Sequence, residues 1–174
     1  MIRKVISGAV CMVAMIPLLY FYTLIPIRCN RMARVVRSRT LRNFHRADDF
    51  AARIQARDDG SRALACSAKM PQQIEFYMLA AANYRISGRL EDAAELYRKA
   101  LQYEKRPEIY LNLGEVLLQN GQREAGLETL VTAATFYFDE GYIDYVMQHI
   151  AERDEVKSRF RKRLASMRKA EAAQ

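Results

Sequence analysis

The stretch Ile74–Phe138, IEFYMLAAANYRISGRLEDAAELYRKALQYEKRPEIYLNLGEVLLQNGQREAGLETLVTAATFYF, decides the fold. Displaced by 33 residues it falls on itself: Tyr77 on Tyr110, Ala80 on Leu113, Ala81 on Gly114, Tyr84 on Leu117, Gly88 on Gly121, Ala93 on Gly126, Tyr97 on Leu130 and Ala100 on Ala133. Each unit reads as a helix, a turn at its glycine and a second helix, so two copies of one helical hairpin are expected. The pairs Ala81/Gly114, Ala93/Gly126 and Ala100/Ala133 are small where helix backbones must approach closely, and the aromatic and leucine positions fill the space between them. Gly88 and Gly121 follow the helical runs Ile74–Ile86 and Glu108–Gln119, where a left-handed residue ends a helix with little strain.

The segments SGRLEDAAELYRKAL (87–101) and LNLGEVLLQNGQREAGLETLVTAA (111–134) carry an order of residue types that resembles the tetratricopeptide repeat family. The likeness covers about 65 of the 174 residues. It implies an all-α fold, a short α-solenoid of about two such hairpins plus capping helices. The first unit is one residue short of the family's usual length, and Pro107 comes late enough to open the next helix, where a missing N–H does no harm. In the family the first helix of each hairpin lines a peptide-binding groove. By that resemblance the groove positions are Glu75, Met78, Ala82, Arg85 and Ile86 in the first hairpin, and Glu108, Leu111, Asn112, Glu115 and Gln119 in the second. The Lys/Asn/Arg set with which some members clamp a C-terminal carboxylate is missing apart from Asn112. Residues 74–150 hold 7 basic against 12 acidic residues, which favours a neutral or basic segment as ligand.

Charge is distributed unevenly along the chain. The formal net charge is +8, yet residues 1–57 hold 11 Lys/Arg against 2 Asp, and residues 58–174 are nearly balanced. From Val5 to Ile27 there is no charged side chain. Twenty-three helical residues reach ~34 Å, enough to cross a ~30 Å hydrocarbon layer. A transmembrane helix within residues 1–30 is therefore expected, kinked at Pro17 and belted by Tyr20, Phe21 and Tyr22. The run is longer than a signal-peptide core and lacks a small-x-small cleavage site. Beyond it stand Arg28, Arg31, Arg34, Arg37, Arg39, Arg42 and Arg46 with no acid among them, against Arg3 and Lys4 on the other side. The positive-inside rule then places the C-terminal domain in the cytoplasm and the N-terminus outside.

Residues 31–73 read as an Arg-rich neck with capping helices, its intermittent apolar stripe formed by Met32, Val35, Val36, Leu41, Phe44, Phe50 and Ile54. An anionic membrane surface is the first expected partner for the arginines, at ~1 kcal/mol per basic residue. An acidic partner subunit comes second and nucleic acid last. Asp58-Asp59-Gly60-Ser61 reads as a helix break, with Ser61 capping Arg62–Lys69 and Pro71 opening the first repeat helix. The neck around Phe44–Ile54 and Ala63–Met70 is expected to cover one end of the repeats at 74–140. Residues 141–174 supply the other cap, through Ile143, Val146, Met147 and Ile150 and then a charged helix with the stripe Val156, Phe160, Leu164 and Met167.

Three cysteines without metal-ligand spacing suggest free thiols and no disulfide framework. Of the two histidines, His45 and His149, neither has partners at ligand or triad spacing. No phosphate-cradling glycine loop, HExxH or CxxC is present. No enzyme, metal, cofactor or small-molecule substrate is expected. The function expected is a membrane-anchored accessory or adaptor subunit that positions other protein subunits within a larger complex, energy-converting or secretory. The alternative is a receptor for targeting peptides. The order of anchor, basic neck and repeat is similar to that of mitochondrial outer-membrane preprotein receptors, and the resemblance would set Leu111, Glu115, Ile143, Val146 and Met147 around an amphipathic basic peptide.

Overall fold

A left-handed glycine lets a helix end with its last carbonyls satisfied, and the two repeat glycines do this in the same way. In the computed structural model Gly88 has φ +83° and Gly121 φ +77°. After the first, Arg89 N–H donates to the Tyr84 carbonyl at 2.8 Å and Gly88 N–H to that of Arg85 at 3.0 Å. After the second, Gln122 N–H donates to Leu117 at 2.9 Å and Gly121 N–H to Leu118 at 3.0 Å. These paired closures are Schellman motifs, so both hairpins turn on the same geometry.

The structure describes residues 20–136, 140–149 and 154–171. A π-helical turn, Tyr20–Leu24, leads into α1 (Ile25–Phe44), followed by α2 (Phe50–Lys69), α3 (Ile74–Ile86), α4 (Leu90–Tyr103), α5 (Pro107–Gln119), α6 (Arg123–Thr135), α7 (Glu140–His149) and α8 (Asp154–Glu171). No strand occurs among the described residues, and each helix from α1 to α6 packs on the next. Pro107 stands in the first turn of α5, as its missing N–H allows. Between α5 and α6 the backbones nearly touch. A Cβ at Gly114 would lie 2.6 Å from Leu130 Cγ and 3.2 Å from the Gly126 carbonyl oxygen.

The expected break at Asp58–Ser61 does not exist: α2 runs through it. Asp59 is buried and is held by Arg39 at 3.3 Å and Arg62 at 3.9 Å. Gly60 is a contact point, because a Cβ there would lie 2.7 Å from the Tyr84 ring and 3.3 Å from Asn83 Cβ. Stepping the repeat offset back once more sets Gly60 on Ala93, Leu64 on Tyr97 and Ser67 on Ala100. The second half of α2 thus takes the place of a closing repeat helix, while α1 has no counterpart at this offset, which sets Gln55 of mid-α2 on Gly88; the small residue at 60 marks a tight interhelical approach. Ser61 caps nothing; its hydroxyl donates to the Arg57 carbonyl at 3.1 Å. The true N-cap of α2 is Asp49, which accepts from Ala51 N–H at 2.9 Å. That bond, with help from Arg46, holds the Asp49 carboxyl below its usual range. Pro71 lies in the turn before α3, whose N-cap is Gln73.

Two apolar clusters run through the stack. One joins Val36, Ala63, Ile74, Tyr77, Tyr84, Tyr97, Ile109 and Leu117 across α1 to α5. The other joins Leu111, Leu118, Leu127 and Leu130 to Val146 and Met147 of α7 and Phe160 and Leu164 of α8. Each large side chain so enclosed contributes on the order of 1.5–3 kcal/mol. The C-terminal helix lies on the repeats through the expected Phe160 and Leu164, with Arg159 to Glu124 at 2.8 Å and Arg163 to Glu128 at 3.2 Å alongside. The N-terminal cover is made by Met32, Ala33, Val36, Ala63 and Leu64. Phe44, Phe50 and Ile54, expected to take part, are exposed.

Cys29 and Cys66 form a disulfide with Cα atoms 5.7 Å apart, which corrects the expectation of free thiols. Thirty-seven residues separate them in sequence, and only the α1–α2 pairing brings them together. Ile25, Phe76 and the partly buried Met70 pack around the bond. Ile25, inside the expected membrane span, therefore belongs to the first turn of a helix docked on the repeats. No helix among the described residues is long and apolar enough to cross a membrane. Most of the expected span, Pro17 included, lies outside the described residues.

Candidate functional site

The helices α1, α3 and α5 follow one another along one side of the stack, linked by side-chain contacts. Phe44 at the end of α1 lies beside Arg85 of α3, whose guanidinium carbon is 5.7 Å from the ring centroid. Arg85 in turn pairs with Glu115 of α5 and donates from Nε to Gln119 Oε1 at 3.1 Å. Both charged side chains are withdrawn from solvent, 15% and 8% exposed. A buried pair of this kind is costly to break and acts as a bolt between hairpins. Beneath it lies Tyr97, fully enclosed; burial pushes its phenol far above the ordinary value, with Arg85 opposing and Glu115 reinforcing the shift.

The other groove positions divide by exposure. Glu75 and Glu108 are exposed at the start of α3 and α5, and Arg106 approaches Glu75 at 4.0 Å while binding Glu104 at 2.6 and 2.7 Å. Met78, Ala82 and Asn112 are half-buried, and Asn112 donates to the Glu108 carbonyl at 2.8 Å. Ile86 and Leu111 are buried in the stack. Of the residues implied by the receptor resemblance, Val146 and Met147 are also buried, and Ile143 is half-buried. The face open to a partner is thus Glu75, Met78, Ala82, Glu108, Asn112 and Gln119, bounded by exposed Phe44. Phe44, expected to help cover an end of the repeats, instead borders this face because the last turn of α1 lies beside Arg85 of α3, a placement for which the 33-residue offset gives no signal.

Further along, a cleft of about 690 Å³ opens between α7 and α8, lined by Asp144, Met147, Gln148, Lys157, Ser158, Arg161 and Lys162. Three cations against one carboxylate make it unfavourable for a cationic peptide. The neck arginines also divide. Arg39 holds buried Asp59, Arg46 pairs with Asp49, and Arg28, Arg31, Arg34, Arg37 and Arg42 are exposed. Among the described residues no group of His, Cys, Asp and Glu could hold a metal ion.

A solenoid of stacked helical hairpins with a row of first helices along one face is the class of architecture these residues define. The family model described as a TPR repeat matches residues 82–121, from the middle of α3 through Gly121, and so supports the tetratricopeptide family for these hairpins. No curated protein matches the chain.

Proposed function

We propose that this chain is a non-catalytic adaptor held at a membrane, where the first-helix face of its hairpins binds and positions another polypeptide of a larger complex. The TPR match and the continuous face from Phe44 to Gln119 carry this reading, since repeats of this family typically serve protein–protein contact. The face offers acidic Glu75 and Glu108 beside apolar Met78 and Ala82, which suits a neutral or basic helical or extended segment. Membrane attachment rests on the uncharged run Val5–Ile27 and the arginines that follow it. Those arginines argue for a cytoplasmic repeat domain by the positive-inside rule; the Cys29–Cys66 bond argues for an oxidising side. The targeting-peptide receptor is the weaker reading. The buried side chains of Leu111, Val146 and Met147 leave little to grip a presequence, and the α7–α8 cleft would repel one.

A photo-crosslinking residue placed singly at Ala82 or Asn112 tests the reading in cells. Crosslinks to a defined partner are expected there and not from Glu91 or Gln102 on α4. Equal crosslinking from both sides, or none from Ala82 and Asn112, sinks the adaptor face.

A further inference from the structure

We propose that the groove between α1 and α2 is a binding site for the phosphate headgroup of an anionic phospholipid, a reading that rests on the membrane attachment proposed above and gives it a defined seat. Four arginines, Arg28, Arg31, Arg39 and Arg62, line a groove of about 290 Å³. Its floor is apolar, formed by Met32, Val35 and Val36. One carboxylate faces these cations from below: buried Asp59, which engages Arg39 and Arg62 through Oδ1 and whose Oδ2 has no hydrogen-bond partner among the described residues. Among the described residues Arg28 and Arg31 have no acidic partner there, so the groove keeps an excess of positive charge. A phosphodiester presents two anionic oxygens that match guanidinium forks; Asp59 holds the Arg39 fork by a hydrogen bond and draws that of Arg62 to 3.9 Å. The floor suits the glycerol and first methylenes of a lipid, which a soluble phosphate would leave bare. Directly before α1, Phe21 and Tyr22 are 64% and 77% exposed, aromatic side chains of the kind that sit at headgroup depth. Arg62 joins this site from α2, across the α1–α2 pairing from the arginines of α1.

The site separates into a test by position at constant charge. Full-length protein in neutral detergent is titrated with phosphatidylglycerol and with phosphatidylcholine, and bound lipid is counted by native mass spectrometry. One phosphatidylglycerol is expected to bind preferentially. The variant R28Q/R31Q/R62Q, which leaves the Arg39–Asp59 pair in place, is expected to weaken it roughly 100-fold, at ~1 kcal/mol per arginine. R34Q/R37Q/R42Q removes the same charge outside the groove and is expected to cost less than roughly threefold. If the first variant does not fold by circular dichroism, R31Q alone gives the same comparison with roughly fivefold weakening. Equal losses in the two triple variants overturn the groove in favour of diffuse attraction. Displacement by glycerol phosphate or by an acidic peptide at the concentration of lipid overturns the lipid as ligand. Alkaline extraction of membranes separates the two readings: a chain that washes off refutes membrane attachment, whereas one that stays yet shows no lipid preference refutes the groove alone.

Discussion

Reducing the Cys29–Cys66 bond should lower the stability of the chain by a predictable amount. The bond closes a loop of 37 residues, and loop-closure entropy for that length is roughly 13 cal/mol/K, or about 4 kcal/mol at 25 °C. For a chain of this size 1 kcal/mol moves the melting temperature by about 2–4 °C, so reduction should lower it by about 8–15 °C. The measurement is thermal unfolding of the full chain followed by far-ultraviolet circular dichroism, with and without dithiothreitol, in a Cys11→Ala background that removes thiol exchange. The double substitution Cys29→Ala/Cys66→Ala should fall close to the reduced chain. It loses slightly more, since both sulfurs are buried beside Phe76 and Met70 and leave small voids. Coincident curves within about 2 °C would refute the reasoning, as would full alkylation of the unreduced chain. The redox state in cells also decides orientation. A bond that survives rapid alkylation of intact cells places the repeats on an oxidising side and overturns the cytoplasmic expectation drawn from the arginines.

Three further outcomes follow from the packing. Arg85→Ala or Glu115→Ala leaves one charge buried alone and should cost about 3 kcal/mol in urea unfolding, whereas replacing both by Met should cost less than half of that; a double variant that loses the sum of the two single losses would show the pair is not coupled. Gly60→Ala gains up to about 1 kcal/mol of helix propensity but drives a methyl into the Tyr84 ring at a cost of about 1–3 kcal/mol, so a net loss is expected; a stabilised variant would mean α2 and α3 are further apart. Asp49 titrates below its ordinary 3.8 in the folded chain, so its contribution is full above that value and is lost as pH falls through the lower one. Asp49→Asn keeps a capping oxygen and should flatten the acid limb of stability against pH; an unchanged limb would remove Asp49 from it.

The hairpins at 74–136 were legible because their signal is local. Gly88 and Gly121 sit at fixed distances from apolar helical faces, and Pro107 marks a helix start. The hairpin before them was hidden by composition: DDGS has the chemistry of a turn, and only the Tyr84 ring across the interface and the arginine partners of Asp59 make it helical. The disulfide was invisible for the same reason, since its two cysteines meet only if α1 folds back along α2. On the proposed binding face, the family resemblance marked Arg85 and Glu115 separately. That each neutralises the other depends on how adjacent hairpins are rotated, which a repeat offset does not specify.

The placement of charge at the two ends of the stack bears on assembly. Modular arrays of like units are prone to join end to end into filaments, because every terminal unit resembles the one that would follow it. Here one end carries the guanidinium groups of α1, and the other carries exposed Arg161, Lys162 and Lys169 of α8. Two copies approaching head to tail would meet cation against cation, and that repulsion opposes end-to-end growth.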